Sequence, residues 1–400
     1  MVHIHPFAAL RPKPMFAHEV AAPPYDVLTP DEAFELATLK PKSFVRVVNA
    51  KIDMPGDDSP FSSAVYEKAR KNLNDMIAEK VMIQDKNPCL YIYRLIYNGR
   101  SQTGLAVCLD VEAYDNGVIK KHELTRPEWE QDRADHIMAC SAHTEPVFLV
   151  CRAKNKIREL INDWCKTHIA EYDFVTDDNV NHTLWAVDDK NTINELVEAF
   201  KEVPALYIAD GHHRSAAAAK VAKSIECKQY PAVIFPDDEV QILNYNRLVR
   251  DLNGFTHEEF FSMLNKKFTM RKSASPITPK NHNIFGLYIR GEWWELTLTE
   301  PSPFDMLNSL SVSCLHREIL SPLLGINNLQ KDKRIDFIGG LNSIEKITKY
   351  VDSGKMAAAF TVCPLAVLDM FDIVDSGKIL PPKSTWFEPK LRSGLLIHTF

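Results

Sequence analysis

The chain has 400 residues, of which 45% are hydrophobic and 25% are charged, a composition typical of a globular protein. The length predicts two domains, because one hydrophobic core seldom organises so many residues. Its 47 basic and 53 acidic residues give a net charge of −6, which argues against non-specific nucleic-acid binding, and no apolar run approaches the roughly 20 residues of a membrane helix.

The eight cysteines include no Cys-x-x-Cys pair, and most have apolar neighbours. This pattern favours buried thiols over disulfides or a zinc site. The N-terminus shows no basic region followed by an apolar run, so the sequence predicts a cytoplasmic protein without a membrane partner.

The N-terminal part of the chain begins with a proline-rich segment of 30 residues, which predicts an extended and turning backbone. A helix is predicted to begin near Pro30, because acidic residues follow in its first turn. Residues 43–48 predict a strand, and residues 63–80 predict an amphipathic helix.

The middle of the chain alternates between predicted strands and helices. Strand-like runs at 89–97 and 104–111 are separated by Asn98-Gly99-Arg100, which favours a hairpin. Residues 127–140 predict a polar helix, and residues 146–151 predict a buried strand.

A short apolar strand is predicted at 205–209 and an alanine-rich helix at 215–225, with a polar turn between them. The next strand is predicted at 230–235, and the pattern of helix and strand restarts beyond Gly254. We therefore expect a mixed α/β protein with domains over 1–254 and 255–400.

The polar turn is the strongest motif, and it consists of Asp210, Gly211, His212, His213 and Arg214. The glycine permits a tight turn, and the amides that open the helix form an anion site. The arginine adds a bidentate phosphate fork and the histidines add donors, while the aspartate is a candidate Mg²⁺ ligand. The alternative is an aspartate that caps the helix beside two surface histidines.

A second group contains His122 and Glu123, followed by Asp132, Arg133 and His136. Asp132 and His136 are four residues apart and share one face if the segment is helical. The spacing fits either acid–base or metal chemistry or an ordinary solvated helix face.

Two proline-rich segments supply further candidates. Lys383, Ser384 and Thr385 lie between prolines and suit a phosphate or a small zwitterion, or they face water in a rigid connection. Asp26 follows Pro23-Pro24-Tyr25 and is a candidate general base, or it caps the next helix. The common nucleotide-binding glycine motifs are absent from the sequence.

The turn at 210–214, with its following helix and strand, resembles that of free serine kinases of the ParB/sulfiredoxin-like superfamily. The segment Pro382-Lys383-Ser384-Thr385 is similar to a segment of the same kinases. The resemblance implies a ParB/sulfiredoxin-like core with a large insertion at about 50–200, followed by a C-terminal α/β domain that contributes the 382–385 segment to the site.

The chain as a whole also resembles a widespread bacterial and archaeal family labelled as of unknown function. The shared signatures are His5-Pro6-Phe7, Pro23-Pro24-Tyr25-Asp26-Val27, Asn246-Arg247 and Leu323-Leu324-Gly325-Ile326.

The kinase resemblance also implies roles for the candidate residues. The turn at 210–214 would hold the donor phosphates and Mg²⁺, and Lys383, Ser384 and Thr385 would contact serine or phosphoserine. Asp26 stands where the kinases have a catalytic glutamate, and Glu123 is its rival as the base. The group that contains Arg133 and His136 would help to rebuild the donor pocket.

The implied reaction is Mg²⁺-dependent, reversible phosphorylation of free L-serine by a monomer or homodimer. Pyrophosphate is the favoured donor, and ADP and ATP are the alternatives. The alternatives are a nucleotide-binding, ParB-like protein associated with DNA and a non-catalytic phosphate-metabolite sensor. A sulfiredoxin-like reductase fits poorly, because it needs a cysteine in the turn that here holds His212 and His213.

Overall fold

The computed structural model describes residues 1–54, 62–300 and 305–400. They form two compact units. The first unit contains residues 1–121, 125–240 and 389–400, and the second contains residues 122–124 and 241–388. No described helix has the length and apolar character that crossing a membrane requires.

The first unit contains both strands and helices. Up to residue 240 its strands are β1 (Ile4–His5), β2 (Leu10–Pro12), β3 (Met82–Gln84), β4 (Leu90–Tyr97), β5 (Arg100–Asp110), β6 (Ile119–Lys120), β7 (Ala142–His143), β8 (Val147–Cys151), β9 (Tyr172–Val175), β10 (Asn181–Val187), β11 (Leu206–Asp210) and β12 (Gln229–Pro236). Its helices are α1 (Ala17–Val20), α2 (Pro30–Leu39), α3 (Val45–Val48), α4 (Ser63–Ala78), α5 (Val111–Asp115), α6 (Pro127–Cys140), α7 (Asn155–Thr167), α8 (Lys190–Phe200) and α9 (His212–Val221).

A mixed sheet organises the first unit, with strand order β6-β11-β8-β12-β5-β4-β10-β9 and β1 beside β5. The pairs β12–β8 and β11–β6 are parallel, and the other pairs of this sheet are antiparallel. Apolar side chains of the sheet pack against α7 and α8 through residues such as Ile161 and Leu196. A separate apolar cluster buries the N-terminal helices α2, α3 and α4.

The second unit contains the strands β13 (Ile242–Leu243), β14 (Tyr245–Val249), β15 (Phe268–Ser273), β16 (Ile284–Ile289), β17 (Glu292–Leu298), β18 (Ile335–Gly339), β19 (Ala358–Thr361) and β20 (Trp386–Phe387). Its α-helices are α10 (His257–Leu264), α11 (Ser311–Leu315), α12 (Ser343–Asp352) and α13 (Val367–Asp375). Six of the strands form an antiparallel sheet in the order β15-β17-β16-β19-β14-β18. The chain then returns to the first unit, where β21 (His398–Thr399) pairs with β7.

The mixed α/β class is confirmed, as are several local predictions. Thr29 and Glu32 form a capping box at the start of α2, next to Pro30. The predicted hairpin is β4–β5, whose turn places Asn98 at φ 48° and Gly99 at φ 75°.

The prediction of a strand at 43–48 is wrong. Val45–Val48 forms one helical turn, and the Val48 amide donates to the carbonyl of Phe44 at 3.2 Å. The valines are buried in the N-terminal cluster, so tertiary packing outweighs the β-propensity of this short run.

The units also differ from the predicted ranges 1–254 and 255–400. Residues 241–254 group with the second unit because β14 pairs with β18 and β19. Residues 389–400 group with the first unit.

Candidate functional site

The turn between β11 and α9 has a conformation that suits glycine. Gly211 has φ 97° and ψ 33°, in the left-handed region, and α9 begins at the next residue. A Cβ atom at this position would lie 3.0 Å from Nε of Arg214. The turn therefore requires glycine both for its backbone and for the space that the arginine occupies.

Asp210 is held between two cationic side chains. Its Oδ2 lies 2.5 Å from Nη2 of Arg214, and its Oδ1 lies 2.9 Å from Nζ of Lys390. Burial alone would raise the pKa of Asp210, but the charges of Lys390 and Arg214 hold it well below the usual range. Asp210 is therefore a half-buried, ionised carboxylate with both oxygens engaged.

Arg214 is 7% exposed, and its Nη1 donates to the carbonyl of Pro146. Its Nε is buried and has no hydrogen-bond partner among the described residues. Burial lowers the pKa of Arg214, but the nearby carboxylates, Asp210 first and then Glu145, raise it above its ordinary value. The guanidinium is thus permanently charged and keeps one N–H available to an acceptor.

Arg133 is a second buried guanidinium with one nitrogen that has no hydrogen-bond partner among the described residues. Its Nε and Nη2 lie 2.7 and 2.6 Å from Oδ2 of Asp132, and its centre lies 4.0 Å from the ring of Tyr25. The other oxygen of Asp132 accepts from the hydroxyl of Tyr66 at 2.9 Å. Nη1 of Arg133 finds no partner in the part of the chain that the structure describes.

Both arginines line one small cavity of about 20 Å³, which has room for about one water molecule. The lining residues are Arg133, His136, Ile137, His143, Thr144, Glu145, Val147, Arg214, Tyr230 and Pro231. Glu145 is buried there, where its Oε1 accepts from the hydroxyl of Ser393 at 2.6 Å and from the amide of Tyr25 at 3.3 Å.

His136 reaches this cavity as a neutral imidazole. Its Nε2 lies 3.0 Å from the carbonyl of Val47 and therefore donates to it. Burial, followed by the charge of Arg133, lowers the pKa of His136 to about 4. It consequently brings no positive charge to a phosphate at neutral pH.

The remaining candidates of the first unit are Asp26, His212 and His213. Asp26 is exposed, and its charge contributes to the raised pKa of Arg214. His213 is half-buried, and its Nε2 accepts from the amide of Arg126 at 3.1 Å. This bond assigns the proton of a neutral His213 to Nδ1. His212 is also half-buried.

The other candidates belong to the second unit. The hydroxyl of Thr385 lies 2.9 Å from Nε2 of His122, and the buried Ser384 donates to the carbonyl of Pro381 at 2.6 Å. Lys383 has φ 58°, and its Nζ lies 5.6 Å from the centre of the Tyr245 ring.

Glu123 lies near the buried Arg247. Burial lowers the pKa of Arg247 to about 10, against the opposing charges of Tyr245 and Glu123.

Sequence reasoning did not identify four residues that the fold brings to the turn and its cavity: Tyr25, Glu145, Lys390 and Ser393. Lys390 had the clearest signal, because it closes the same proline-rich segment as Lys383. Glu145 had none, since it precedes a buried strand without a motif.

The family model described as "Protein of unknown function (DUF1015)" matches residues 4–316, and the chain belongs to that family. No curated protein matches the sequence.

Three solved structures show low similarity. A free serine kinase in complex with AMP is 16% identical, with a TM-score of 0.35, over 72% of this chain and 92% of the kinase. A conserved hypothetical protein from Pyrococcus furiosus is 13% identical, with a TM-score of 0.37, over 73% and 94% of the two chains. SbnI with a C-terminal truncation, from Staphylococcus aureus, is 12% identical, with a TM-score of 0.38, over 72% and 85%.

Proposed function

We propose that this family member is a phosphotransferase that moves a phosphoryl group from pyrophosphate, or from ADP or ATP, to the hydroxyl of free L-serine. The observation that supports it best is the pair of buried guanidinium groups, Arg133 and Arg214, beside the turn at Gly211. Each keeps one buried nitrogen without a hydrogen-bond partner among the described residues, and both line the same cavity.

A bound oxyanion would satisfy these two donors. A buried donor without an acceptor costs about 1–3 kcal/mol, and more when the group is charged. An anion with several oxygens removes that cost at both arginines. The opening of α9 at His212 adds the positive end of a helix dipole to the same neighbourhood.

The presence of two separate guanidinium groups favours an anion with several oxygens over a simple carboxylate. Arg133 and Arg214 each offer one nitrogen, and Lys390 adds a point charge at Asp210. Pyrophosphate carries more charge than a single carboxylate and offers oxygens to both arginines. ADP and ATP carry the same diphosphate unit, so the experiment below compares all three donors.

The proposed chemistry is an in-line displacement at phosphorus. The serine hydroxyl oxygen forms a bond to one phosphorus while the bridging P–O bond breaks, so that inorganic phosphate leaves when pyrophosphate is the donor. Asp26 accepts the hydroxyl proton, because its exposed carboxylate lies within the electrostatic reach of Arg214. Glu123 is the alternative base, and Lys383, Ser384 and Thr385 are proposed to bind serine or phosphoserine.

Asp210 does not fit the role of a carboxylate ready to bind Mg²⁺. Both of its oxygens are in ion pairs, with Arg214 and Lys390. We therefore assign Asp210 to the positioning of Arg214, and we propose that Mg²⁺ enters as the magnesium complex of the donor, which is the substrate.

The test incubates the purified chain with L-serine, Mg²⁺ and pyrophosphate, ADP or ATP, and detects O-phosphoserine by mass spectrometry. We expect product with at least one donor, and a loss of at least about 100-fold in rate for Asp26→Asn and Arg214→Gln. Arg158→Gln is the matched control, because Arg158 pairs with Asp238 at the surface. Absence of O-phosphoserine with all three donors would rule out this function.

A Glu123→Gln variant distinguishes the two candidate bases. If Asp26→Asn retains the wild-type rate and Glu123→Gln does not, the base is Glu123. If both variants bind pyrophosphate normally and the wild type makes no product, the protein is a phosphate-metabolite sensor.

A further inference from the structure

A second group of chemically reactive side chains lies in the first unit. His143, Cys227 and His398 each offer one ligand atom, and these three atoms lie within 4.8 Å of one another. His143 is buried, while the other two residues are half-buried. The group is distinct from the ion pairs of Asp210.

The sheet register brings the two histidines together. Strands β7 and β21 are antiparallel, and His398 is the direct cross-strand partner of His143. Side chains of such a pair project from the same face. The two rings are stacked with centroids 6.0 Å apart and an interplanar angle of 6°. Cys227 comes from the segment that precedes β12.

The ligand atoms have few competing partners. Nδ1 of His398 is buried and has no hydrogen-bond partner among the described residues. The thiol of Cys227 donates only a weak bond, at 3.3 Å, to the carbonyl of Gln229. A donor set of two imidazoles and one thiol is thus in place with at least one nitrogen unsatisfied.

The spacing and the surroundings suit a tetrahedral transition metal. Zinc bonds of about 2.0–2.1 Å to nitrogen and about 2.3 Å to sulfur place neighbouring ligand atoms about 3.3–3.7 Å apart. Small side-chain rotations bring atoms already within 4.8 Å to that spacing. The rings of Phe400, at 5.5 Å from His143, and Phe7, at 5.8 Å from His398, add apolar surface beside the two histidines, although Phe400 is itself 42% exposed.

We propose that His143, Cys227 and His398 form a binding site for Zn²⁺. Nitrogen and sulfur ligands select zinc over Mg²⁺ and Ca²⁺, which prefer oxygen. Three protein ligands leave the fourth position of the tetrahedron to water or to a small anion. Binding replaces the proton of the Cys227 thiol by the metal, so one proton is released into solvent. The proposal does not rest on the phosphotransferase reaction, although His143 also lines the cavity that contains Arg133 and Arg214.

The site also ties the C-terminal strand to the body of the first unit. His398 comes from the 389–400 segment, whereas His143 and Cys227 belong to the 125–240 segment of the same unit. A metal bound to all three closes a long loop, and it is expected to stabilise the folded state by mass action.

The experiment titrates the reduced, metal-free full-length protein with Co²⁺, a spectroscopic substitute for Zn²⁺. We expect saturation at one ion per chain, with thiolate-to-cobalt charge-transfer absorption, and bleaching of that absorption when Zn²⁺ is added. Cys227→Ser should abolish the charge-transfer band, and His398→Asn should weaken Co²⁺ binding at least about tenfold.

Cys165→Ser and His18→Asn serve as matched controls, since Cys165 is half-buried in α7 and His18 is exposed. Both should bind like the wild type. The proposal is overturned if the wild type shows no charge-transfer band, or if the band persists in Cys227→Ser. Circular dichroism of each variant establishes that it is folded. A rise in the thermal midpoint with Zn²⁺ in the wild type and both controls, but not in Cys227→Ser, provides the second readout.

Discussion

Arg214 and Asp210 illustrate how a buried charge is tolerated in this fold. The guanidinium is 7% exposed, and it is compensated by one carboxylate and by one backbone carbonyl. Bringing two charges out of water costs several kcal/mol, and their attraction offsets this cost only while both are present. Removing one member of this pair should therefore lower the free energy of unfolding more than removing one member of a surface pair.

Replacing Arg214 by glutamine should lower the free energy of unfolding by about 3 kcal/mol, because Asp210 keeps its buried charge and loses one of two cationic partners. Urea denaturation followed by circular dichroism measures the change. The surface control Arg158→Gln should change stability by less than about 1 kcal/mol. Equal losses in the two variants would show that the buried pair has no special energetic weight.

Buried histidines predict that the fold weakens in mild acid. Burial, followed by the charge of Arg392, lowers the pKa of His182 to about 3, and burial with Arg133 lowers that of His136 to about 4. Between about pH 6.5 and pH 4 the unfolded chain binds protons that the folded chain does not. The neutral forms of His182 and His136 thus stabilise the fold fully above about pH 6.5, and this stabilisation is lost as the pH falls.

Protonation of the two histidines should lower the free energy of unfolding by up to about 3 kcal/mol per pH unit near pH 5. Denaturation curves at pH 7, 6 and 5 measure this slope, and His136→Gln should make it shallower. Asp210 does not contribute in this range, because its pKa is held well below its usual value by Lys390 and Arg214, against the effect of burial. If the pH dependence of stability is unchanged in His136→Gln, His136 is not one of the groups that weaken the fold in acid.

Individual residues of the site differ in how far the sequence reveals them. The glycine, histidines and arginine of the turn are adjacent in sequence, so one motif predicts the whole group. Lys390 and Glu145 reach the same place from distant segments, and their roles follow from strand pairing that no local pattern encodes. The local motif was therefore visible, whereas its partners were not.

The connection between β11 and α9 links backbone conformation to the position of a side chain. Gly211→Ala should cost about 1–3 kcal/mol for the left-handed backbone and should also displace Arg214, whose Nε lies 3.0 Å from the added Cβ. Gly117→Ala is the matched control, since Gly117 has φ 72° and its added Cβ meets no atom within 4 Å.

Both alanine variants should lose stability in urea denaturation, and only Gly211→Ala should also lose affinity for pyrophosphate in calorimetric titration. If the Gly211→Ala protein is folded and binds pyrophosphate like the Gly117→Ala protein, the turn does not position the anion site.

Elements with a long periodic pattern were predicted well from the sequence. The amphipathic helix expected at 63–80 is α4, and the polar helix expected at 127–140 is α6. The short valine-rich run at 43–48 was assigned the wrong structure, because a single buried turn and a buried strand have the same composition. The first turn of α9 was also missed, since its histidines and arginine lack an apolar period.

At the scale of the molecule, the first unit is completed by residues that follow the second unit in sequence. Residues 389–400 contribute Lys390 and Ser393, and they bury Leu391, Leu395, Leu396 and Ile397 at 4%, 1%, 1% and 0% exposure. Dividing the sequence into two consecutive domains cannot predict that residues 389–400 belong to the first unit, because their position depends on strand pairs such as β7–β21.

Deletion of residues 389–400 should therefore unfold the first unit. Four buried aliphatic side chains contribute about 1.5–3 kcal/mol each, which together approaches the total stability of many domains. Thermal unfolding followed by circular dichroism should show loss of the cooperative transition or a large fall in its midpoint. An unchanged midpoint would mean that this segment is dispensable for folding.

Calorimetric titration of the full-length protein with pyrophosphate tests most directly whether the two buried arginines bind a multiply charged anion. We expect saturable binding at one site, weakened at least about tenfold in Arg133→Gln and in Arg214→Gln, because each loses a charge-assisted hydrogen bond of about 1.5–3 kcal/mol. Folded variants that bind pyrophosphate as tightly as Arg158→Gln, or a wild-type protein that does not bind it, would contradict this expectation.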